Sequence, residues 1–295
     1  MSTPWRPERE VTLVEARRAV RECGLDGDDV RIVDPGWDNT IVLVDETWVF
    51  RFPRREIALP GIDREIALLP PLAPLLSLPI PVPEHVGSYG DPPWRFWGAK
   101  HLPGTELAVS GHADRVAVAG AIGRLLAELH ALPVGPDLPV DPFGRADAAA
   151  RAAKARDVLA DLRKLKIDHE HGPIDEVLTA GEAASPPSSE IVLSHGDLYS
   201  RHVLVDDEGH VSAVIDWGDL CAAPPSVDLA IAFSAFSGVA RTTLLDSYGP
   251  VDDDISLRAR VMAIFSAASV AHYAHDVGDR VLMVDALTGL AAAAR

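Results

Sequence analysis

Cysteine is almost absent from this chain of 295 residues, which contains only Cys23 and Cys221. Two cysteines cannot build the disulfide framework of a small secreted protein, so we expect free thiols in a reducing compartment. The sequence also lacks a basic segment followed by an apolar run at its start, and it has no apolar stretch of membrane-spanning length. We therefore expect a cytoplasmic protein that is neither secreted nor inserted in a membrane.

Positive charge is also scarce. The chain has 27 Lys and Arg residues against 44 Asp and Glu residues, a formal net charge of −17. Nucleic acids are bound by clustered basic side chains, so this balance argues against a nucleic-acid partner. It would suit a cationic ligand, although general solubility explains it equally well. The hydrophobic fraction of 47% is sufficient for the core of one large two-lobed domain or of two smaller domains.

Residues 191–219 concentrate the side chains that are able to do chemistry, in the sequence IVLSHGDLYSRHVLVDDEGHVSAVIDWGD. The apolar pattern predicts three short strands, at 191–193, 203–205 and 211–215. His195 and Asp197 follow the first strand, His202 precedes the second, and Asp216 ends the third. A hairpin returns the chain close to its starting point, so we expect Asp197, His202 and Asp216 to converge.

This order and spacing are typical of phosphoryl transfer. A protein kinase has a catalytic-loop Asp, an Asn five residues later, and a metal-binding Asp after a hairpin. Asp197, His202 and Asp216 occupy these positions. Each of them alone is a common turn residue in proteins that combine helices and strands. Their joint occurrence in this order favours the catalytic interpretation.

The stretch closely resembles the aminoglycoside phosphotransferase superfamily of antibiotic-modifying kinases. His202 stands where the usual family pattern has Asn, and HGDLY followed by two residues and His is similar to the macrolide phosphotransferase branch. The resemblance implies an α+β, bilobal protein-kinase-like fold. It places a small β-rich nucleotide-binding lobe at 1–99 and a larger helical lobe at 100–295, with a helical insertion at about 146–183. We also expect a monomer.

The resemblance also implies the roles of the central residues. Asp197 would deprotonate and orient the acceptor hydroxyl, and His195 would brace the catalytic loop. His202 and Asp216 would hold Mg²⁺, although imidazole is a softer ligand than an amide oxygen. The stretch Val227-Asp228-Leu229-Ala230 resembles the family's structural Asp-Leu pair, which supports the same loop.

A second set of residues is expected to bind the nucleotide, ATP or GTP. Strand alternation places Arg51 on the face opposite Phe50, and Glu65 falls on the apolar stripe of the following helix, where a carboxylate needs a partner. We therefore expect an Arg51–Glu65 pair like the one that positions phosphates in kinases. Two further groups come from the resemblance. Gly36, Asn39 and Thr40 lie in the place of the glycine-rich loop, and Ala99 and His101 lie in the hinge that binds the purine edge.

The acceptor is expected to be an antibiotic, with the 2′-hydroxyl of a macrolide first and an aminoglycoside hydroxyl second. Macrolides need an apolar wall, which we expect the C-terminal helices to supply with Val261, Ile264, Phe265, Val270 and Tyr273. The acidic run 252–254 is interpreted as a helix start. Two alternatives remain. One is a metabolite kinase acting on an alcohol such as choline or homoserine. The other is a catalytically silent pseudokinase, suggested by His202 and by Pro224 at a position where the family has Asp.

The remaining pattern predicts a few elements on each side of these motifs. Helices are expected at 11–22 and 116–130, and strands at 48–52 and 94–100. Eight prolines between residues 70 and 93 predict an ordered, extended crossing without a long helix.

Overall fold

A computed structural model of the chain describes residues 6–34, 37–169, 171–188 and 190–295. The chain divides into two compact units. The first comprises Met1–Pro103 with Ile215–Asp219, and the second comprises Gly104–Val214 with Leu220–Arg295. The division therefore falls a few residues after the predicted boundary, and the short segment containing Asp216 groups with the first unit.

The first unit is built on a five-stranded antiparallel sheet with the strand order β1-β2-β3-β5-β4. Its elements are α1 (Leu13–Glu22), β1 (Val30–Asp34), β2 (Asn39–Val44), β3 (Trp48–Pro53), α2 (Leu59–Leu72), β4 (His85–Tyr89) and β5 (Trp94–Lys100). The helix expected at 11–22 and the strands expected at 48–52 and 94–100 are confirmed.

The alternation of β3 determines what lies on each face of this sheet. Phe50 and Phe52 are completely buried in the apolar core, where the Phe52 ring stacks on Phe96 with 4.5 Å between ring centroids. Successive strand residues point to opposite faces, so Arg51 lies on the other face. The sequence pattern thus directs one cation of β3 away from the aromatic core.

The prediction for the proline-rich segment was wrong in two respects. Helix α2 continues through Pro70 and Pro71 to Leu72. The proline ring fixes φ near the helical value, and the burial of Leu69 and Leu72 favours completing the turn. Strand β4 was not predicted, because its five residues include few apolar ones. Its Gly87 leaves room for the Phe96 ring, because a Cβ at position 87 would lie 2.5 Å from the nearest ring atom.

The second unit is mostly helical. Its elements are β6 (Thr105–Glu106), α3 (Arg115–His130), α4 (Ala148–Lys164), α5 (Gly172–Glu182), β7 (Val192–Ser194), β8 (Val203–Val205), β9 (Val211–Val214), β10 (Cys221–Ala223), α6 (Ser226–Ser234), α7 (Gly238–Tyr248), α8 (Asp253–Val277) and α9 (Arg280–Ala293). Strand β8 pairs antiparallel with β6 and β9, and β7 pairs antiparallel with β10. The helix expected at 116–130 and the three central strands are confirmed, whereas β10 was not predicted.

The long helix α8 packs against α4, α6 and α9 and forms the centre of this unit. The helices α3 and α7 approach closely at Gly123, where a Cβ would lie 2.3 Å from the carbonyl oxygen of Leu244. Asp side chains cap several helices, and Asp252 caps α8 by accepting from the Ile255 N–H at 2.7 Å. The expected helix start at 252–254 is therefore confirmed. No helix in the described ranges is both long and apolar enough to cross a membrane.

Candidate active site

The catalytic loop predicted from the sequence connects β7 to β8 in the second unit. The loop begins with His195, Gly196 and Asp197 and ends in a 3₁₀ turn at Ser200–His202. Gly196 adopts φ of 87°, in the left-handed region that glycine enters without steric cost. This sharp turn places Asp197 directly after a buried strand end.

Asp228, near the start of α6, holds the backbone of this loop by hydrogen bonds. Its completely buried carboxylate accepts the backbone N–H of His195 at 2.8 Å and that of Gly196 at 2.9 Å. His130 Nε2 lies 3.1 Å from the same carboxylate. Burial by itself would raise the pKa of Asp228, but the hydrogen bond and charge of His130, with His195 and the Gly196 N–H, outweigh it and lower that pKa. The expected supporting role of Asp228 is thus visible in its contacts.

Two histidines contact the backbone of Asp197. The Asp197 N–H donates to His195 Nδ1 at 3.3 Å, and His202 Nδ1 lies 2.7 Å from the Asp197 carbonyl oxygen. Because a carbonyl oxygen only accepts, His202 Nδ1 carries the proton and its lone pair is on Nε2. The tautomer of His202 is therefore the one in which Nε2 is able to bind a metal ion.

The side chain of Asp197 is 38% exposed, in contrast to the buried backbone around it. Its Oδ1 accepts a hydrogen bond from Arg145 Nη2 at 3.3 Å. A general base has to reach the proton that it accepts, and this partly exposed carboxylate is accessible to a ligand.

In the first unit, Arg51 is the centre of a buried polar cluster. Its Nη1 lies 3.5 Å from Glu65 Oε1, and its Nη2 pairs with the carboxylate of Asp216. With its amide oxygen turned towards the guanidinium, Asn39 accepts from both Nη2 and Nε of Arg51, at 2.9 Å and 3.0 Å. Glu65 in turn accepts from Trp97 Nε1 at 2.9 Å. The predicted Arg51–Glu65 pair is present, and Arg51 makes these contacts through Nη1, Nη2 and Nε.

Burial has opposite consequences for the two members of this pair. It raises the pKa of Glu65 to about 7, because the effect of desolvation exceeds that of the Arg51 charge and the Trp97 hydrogen bond. Burial also works against the charge of Arg51, but Asp216 and Glu65 outweigh it and raise the pKa of Arg51. The cation therefore persists, while Glu65 changes its protonation near neutral pH.

Asp216 lies near two other carboxylates of the same unit, those of Asp38 and Asp219. Burial raises the pKa of Asp38, against the opposing effect of its partner Arg55, and the nearby charges of Asp219 and Asp216 raise it further. Asp216 adopts φ of 63°, which is unusual for a residue other than glycine. Carboxylate oxygens are the ligands that Mg²⁺ prefers, so the side chain of Asp216 is of a type that fits this ion. Within the described ranges, no group of three or more His, Cys, Asp or Glu side chains is already arranged around a metal position.

Comparison with known proteins decides the family. The model of the phosphotransferase enzyme family matches residues 29–262 of this chain. The chain belongs to this phosphotransferase family. The match includes the catalytic loop, Asp216, Asp228 and the Arg51 cluster, and it confirms the resemblance seen in the central motif.

Individual proteins and solved structures are also similar to this chain. The aminoglycoside 3′-phosphotransferase of Streptomyces ribosidificus is 32% identical over 156 residues, which span 52% of this chain and 58% of that protein. An aminoglycoside 2′-phosphotransferase-IIIa in its GDP complex has a TM-score of 0.72 at 20% identity, with 96% of this chain and 99% of that chain covered. The macrolide 2′-phosphotransferase of Brachybacterium faecium has a TM-score of 0.62 at 22% identity, with 94% and 97% covered. The solved structures confirm the kinase-like α+β fold, with a β-rich N-terminal part and a helical C-terminal part.

The residues that were predicted to bind the nucleotide have different structural surroundings. Gly36 is outside the described residues. Asn39 and Thr40 are buried at the start of β2, where Asn39 binds Arg51. The His101 N–H donates to the Thr47 carbonyl oxygen at 2.8 Å, so this hinge donor is used within the sheet.

The alternation of β5 distinguishes the backbone of Lys100 from that of its two neighbours. His101 bonds towards β3, and Val49 pairs with Ala99 in the same register. In an antiparallel pair the bonded and non-bonded positions alternate, so the backbone of Lys100 points away from β3. Gly98, two residues earlier, follows this alternation, since its carbonyl oxygen accepts from the Glu84 N–H on the β4 side at 2.8 Å.

The proposed apolar wall on α8 needs a correction. Val261 and Ile264 are completely buried, so they belong to the packing of the helical unit and are not able to face a ligand. Phe265, Val270 and Tyr273 are partly exposed. Helical spacing identified the apolar residues but did not distinguish the inward face from the outer one.

Sequence reasoning missed two residues of the site. His130 ends α3 four residues after the buried Leu126, so its position on an apolar stripe was a usable signal for a buried imidazole. Arg145 lies in a loop with no motif around it, and only the folded chain brings it to Asp197.

Proposed function

We propose that this phosphotransferase transfers the γ-phosphoryl group of ATP or GTP to a hydroxyl group of an antibiotic. The observation that supports it most is the catalytic loop, in which buried Asp228 fixes the backbone of His195 and Gly196 while the carboxylate of Asp197 remains partly exposed. Fixed positioning of the reacting groups is the main contribution that a protein makes to phosphoryl transfer.

In this mechanism Asp197 accepts the proton of the acceptor hydroxyl. The acceptor oxygen forms a bond to the γ-phosphorus, and the bond from that phosphorus to the β–γ bridging oxygen breaks, leaving the nucleoside diphosphate. His195 and Asp228 keep the loop backbone in place. Mg²⁺, for which Asp216 and His202 are the proposed ligands, would neutralise phosphate charge when bound.

Arg51 is proposed to contact the nucleotide phosphates. It is the cation of the buried cluster, and Asn39, Glu65 and Asp216 hold its guanidinium in one orientation. A guanidinium fixed in this way is able to form bidentate contacts with phosphate oxygens, which a lysine would not form.

For the acceptor we propose a macrolide first, at the 2′-hydroxyl of its amino sugar. This choice depends on His202 in the motif and on the partly exposed apolar residues Phe265, Val270 and Tyr273 of α8. An aminoglycoside is the second candidate. It is favoured by the Streptomyces relative, which is an aminoglycoside 3′-phosphotransferase matched at 32% identity.

A screen of nucleotide consumption tests the proposal. The purified protein is incubated with ATP or GTP and Mg²⁺, together with macrolides, aminoglycosides and small metabolic alcohols such as choline and homoserine. Antibiotic-dependent turnover that disappears in Asp197→Asn supports it, and turnover only with a metabolic alcohol contradicts the acceptor class. Nucleotide binding in titration calorimetry without turnover of any acceptor would identify a pseudokinase.

Expression in a susceptible bacterial host separates the two antibiotic classes. Tolerance to erythromycin-type drugs is expected. Tolerance to kanamycin-type drugs alone would replace the macrolide by an aminoglycoside and leave the proposed chemistry unchanged.

A further inference from the structure

The contact between Arg145 and Asp197 has no place in the mechanism above. Arg145 Nη2 lies 3.3 Å from Asp197 Oδ1, and the Arg145 side chain is only 15% exposed. An ion pair between two mobile surface side chains contributes little energy and fixes neither group. Arg145 is able to orient Asp197 only if the fold holds Arg145 in this position.

The backbone around Arg145 is attached to the strand pair that supports the catalytic loop. The carboxylate of Asp141 accepts the N–H of Arg145 at 2.7 Å and that of Ala146 at 2.9 Å. The Asp141 N–H donates to the carbonyl oxygen of Ala222 at 2.8 Å, and Ala222 lies on β10. Strand β10 pairs with β7, which leads directly into Asp197. One small sheet thus holds both partners of the contact.

Two buried arginines also bind this segment. Arg151 Nε donates to the Gly144 carbonyl oxygen at 2.9 Å, and its Nη2 donates to that of Phe143. Arg258 Nη1 donates to the carbonyl oxygen of Ala146 at 3.2 Å. The Arg145 guanidinium itself lies over the Phe143 ring, 4.7 Å from its centroid. The segment 141–146 is therefore fixed by groups other than the Arg145 side chain.

We propose that Arg145 is a positioning residue that acts through Asp197. By binding Oδ1, its guanidinium holds the carboxylate in the orientation in which it receives the proton of the acceptor hydroxyl. The inference rests on the proposed phosphotransfer. A small displacement of a reacting group reduces turnover by up to about 10²-fold, so the loss of this contact has a measurable effect.

Kinetics of Arg145→Met test this role, because methionine keeps the apolar stem beside Phe143 and removes the guanidinium. We expect kcat to fall about 10- to 100-fold with the KM for nucleotide within about twofold of the wild type. Arg145→Lys should restore part of the loss. In an Asp197→Asn background, Arg145→Met should have no further effect, because the carboxylate through which it acts is gone. The matched control is Arg156→Met, which removes an arginine that pairs with Asp175 and Glu182 on the surface of the same unit.

The inference is wrong if Arg145→Met keeps kcat within twofold of the wild type. It is also wrong if Arg145→Met produces the same fold loss in the Asp197→Asn background, since Arg145 would then act independently. A wild type that phosphorylates nothing in the acceptor screen would instead contradict the proposed function.

Crystal structures of the wild type and of Arg145→Met, or of Arg145→Lys should the first variant not fold, provide a readout without activity. We expect one Asp197 rotamer in the wild type, in contact with Arg145, and a changed or multiple rotamer in the variant. The same single rotamer in both would overturn the positioning role, whatever the outcome of the acceptor screen.

Discussion

Replacing Asp228 by alanine should destabilise the catalytic loop more than replacing any exposed residue near it. The side chain is completely buried and accepts hydrogen bonds from the His195 and Gly196 N–H groups, with His130 as a third partner. Removing the carboxylate leaves these donors without an acceptor inside the protein, at about 1–3 kcal/mol for each unsatisfied group. For the two backbone N–H groups we therefore expect the free energy of unfolding to fall by about 2–6 kcal/mol.

This loss is a large part of the stability of an ordinary domain, about 5–15 kcal/mol. Thermal unfolding followed by circular dichroism should therefore show a lower Tm for Asp228→Ala and a smaller decrease for Asp228→Asn, which keeps one acceptor oxygen. The matched control is Asp161→Ala, which removes an exposed carboxylate paired with Lys164 in the same unit and should leave Tm unchanged.

The pH dependence of this difference provides a second check. The pKa of Asp228 is lowered in the folded protein, so its contribution to stability is present above the pKa of an unfolded Asp, about 3.9. It is lost as the pH falls through the lower folded pKa. The difference in stability between the wild type and Asp228→Ala should therefore persist from pH 5 to 8 and decrease below about pH 4. Equal Tm values for the two proteins at pH 7, with unchanged turnover, would refute the role of Asp228.

The other predictions concern single groups of the site. Asp197→Asn should lower kcat by about 10² to 10⁴ with nucleotide affinity unchanged in calorimetry, and near-full turnover would remove Asp197 from the mechanism. Asp216→Ala should abolish Mg²⁺-dependent nucleotide binding, whereas His202→Asn should stay active because it offers a harder oxygen ligand. An inactive, folded His202→Asn would give His202 a role beyond metal binding. The wild type should lose up to about 3 kcal/mol of stability between pH 4.5 and 7, because folded Glu65, with a pKa of about 7, retains a proton that the unfolded chain releases. Glu65→Gln should remove this slope in urea unfolding, and an identical slope in both proteins would show that Glu65 does not cause it.

The sequence was informative wherever a repeating apolar pattern or a motif of closely spaced residues determined the structure. The alternation of β3 predicted that Arg51 leaves the aromatic core, and the stripe of α2 predicted that Glu65 would need a cation. The spacing within 191–219 predicted three strands and the turn that contains Asp197. These features depend on side chains a few residues apart, which a single sequence displays directly.

What the sequence did not predict depends on contacts between distant segments. Arg145 reaches Asp197 only because Asp141 is bonded to β10, and β10 pairs with β7. The inward side of α8 was similarly undetermined, since an apolar face is compatible with core packing and with a ligand wall. The burial of Val261 and Ile264 in the structure shows that these two are core residues.

Mass spectrometry of the acceptor after incubation with γ-labelled nucleotide tests the central claim most directly. The account predicts one labelled phosphoryl group on a hydroxyl of an antibiotic, formed only with Mg²⁺ present and lost in Asp197→Asn. Unmodified antibiotics throughout the panel, or equal product from Asp197→Asn, would contradict it.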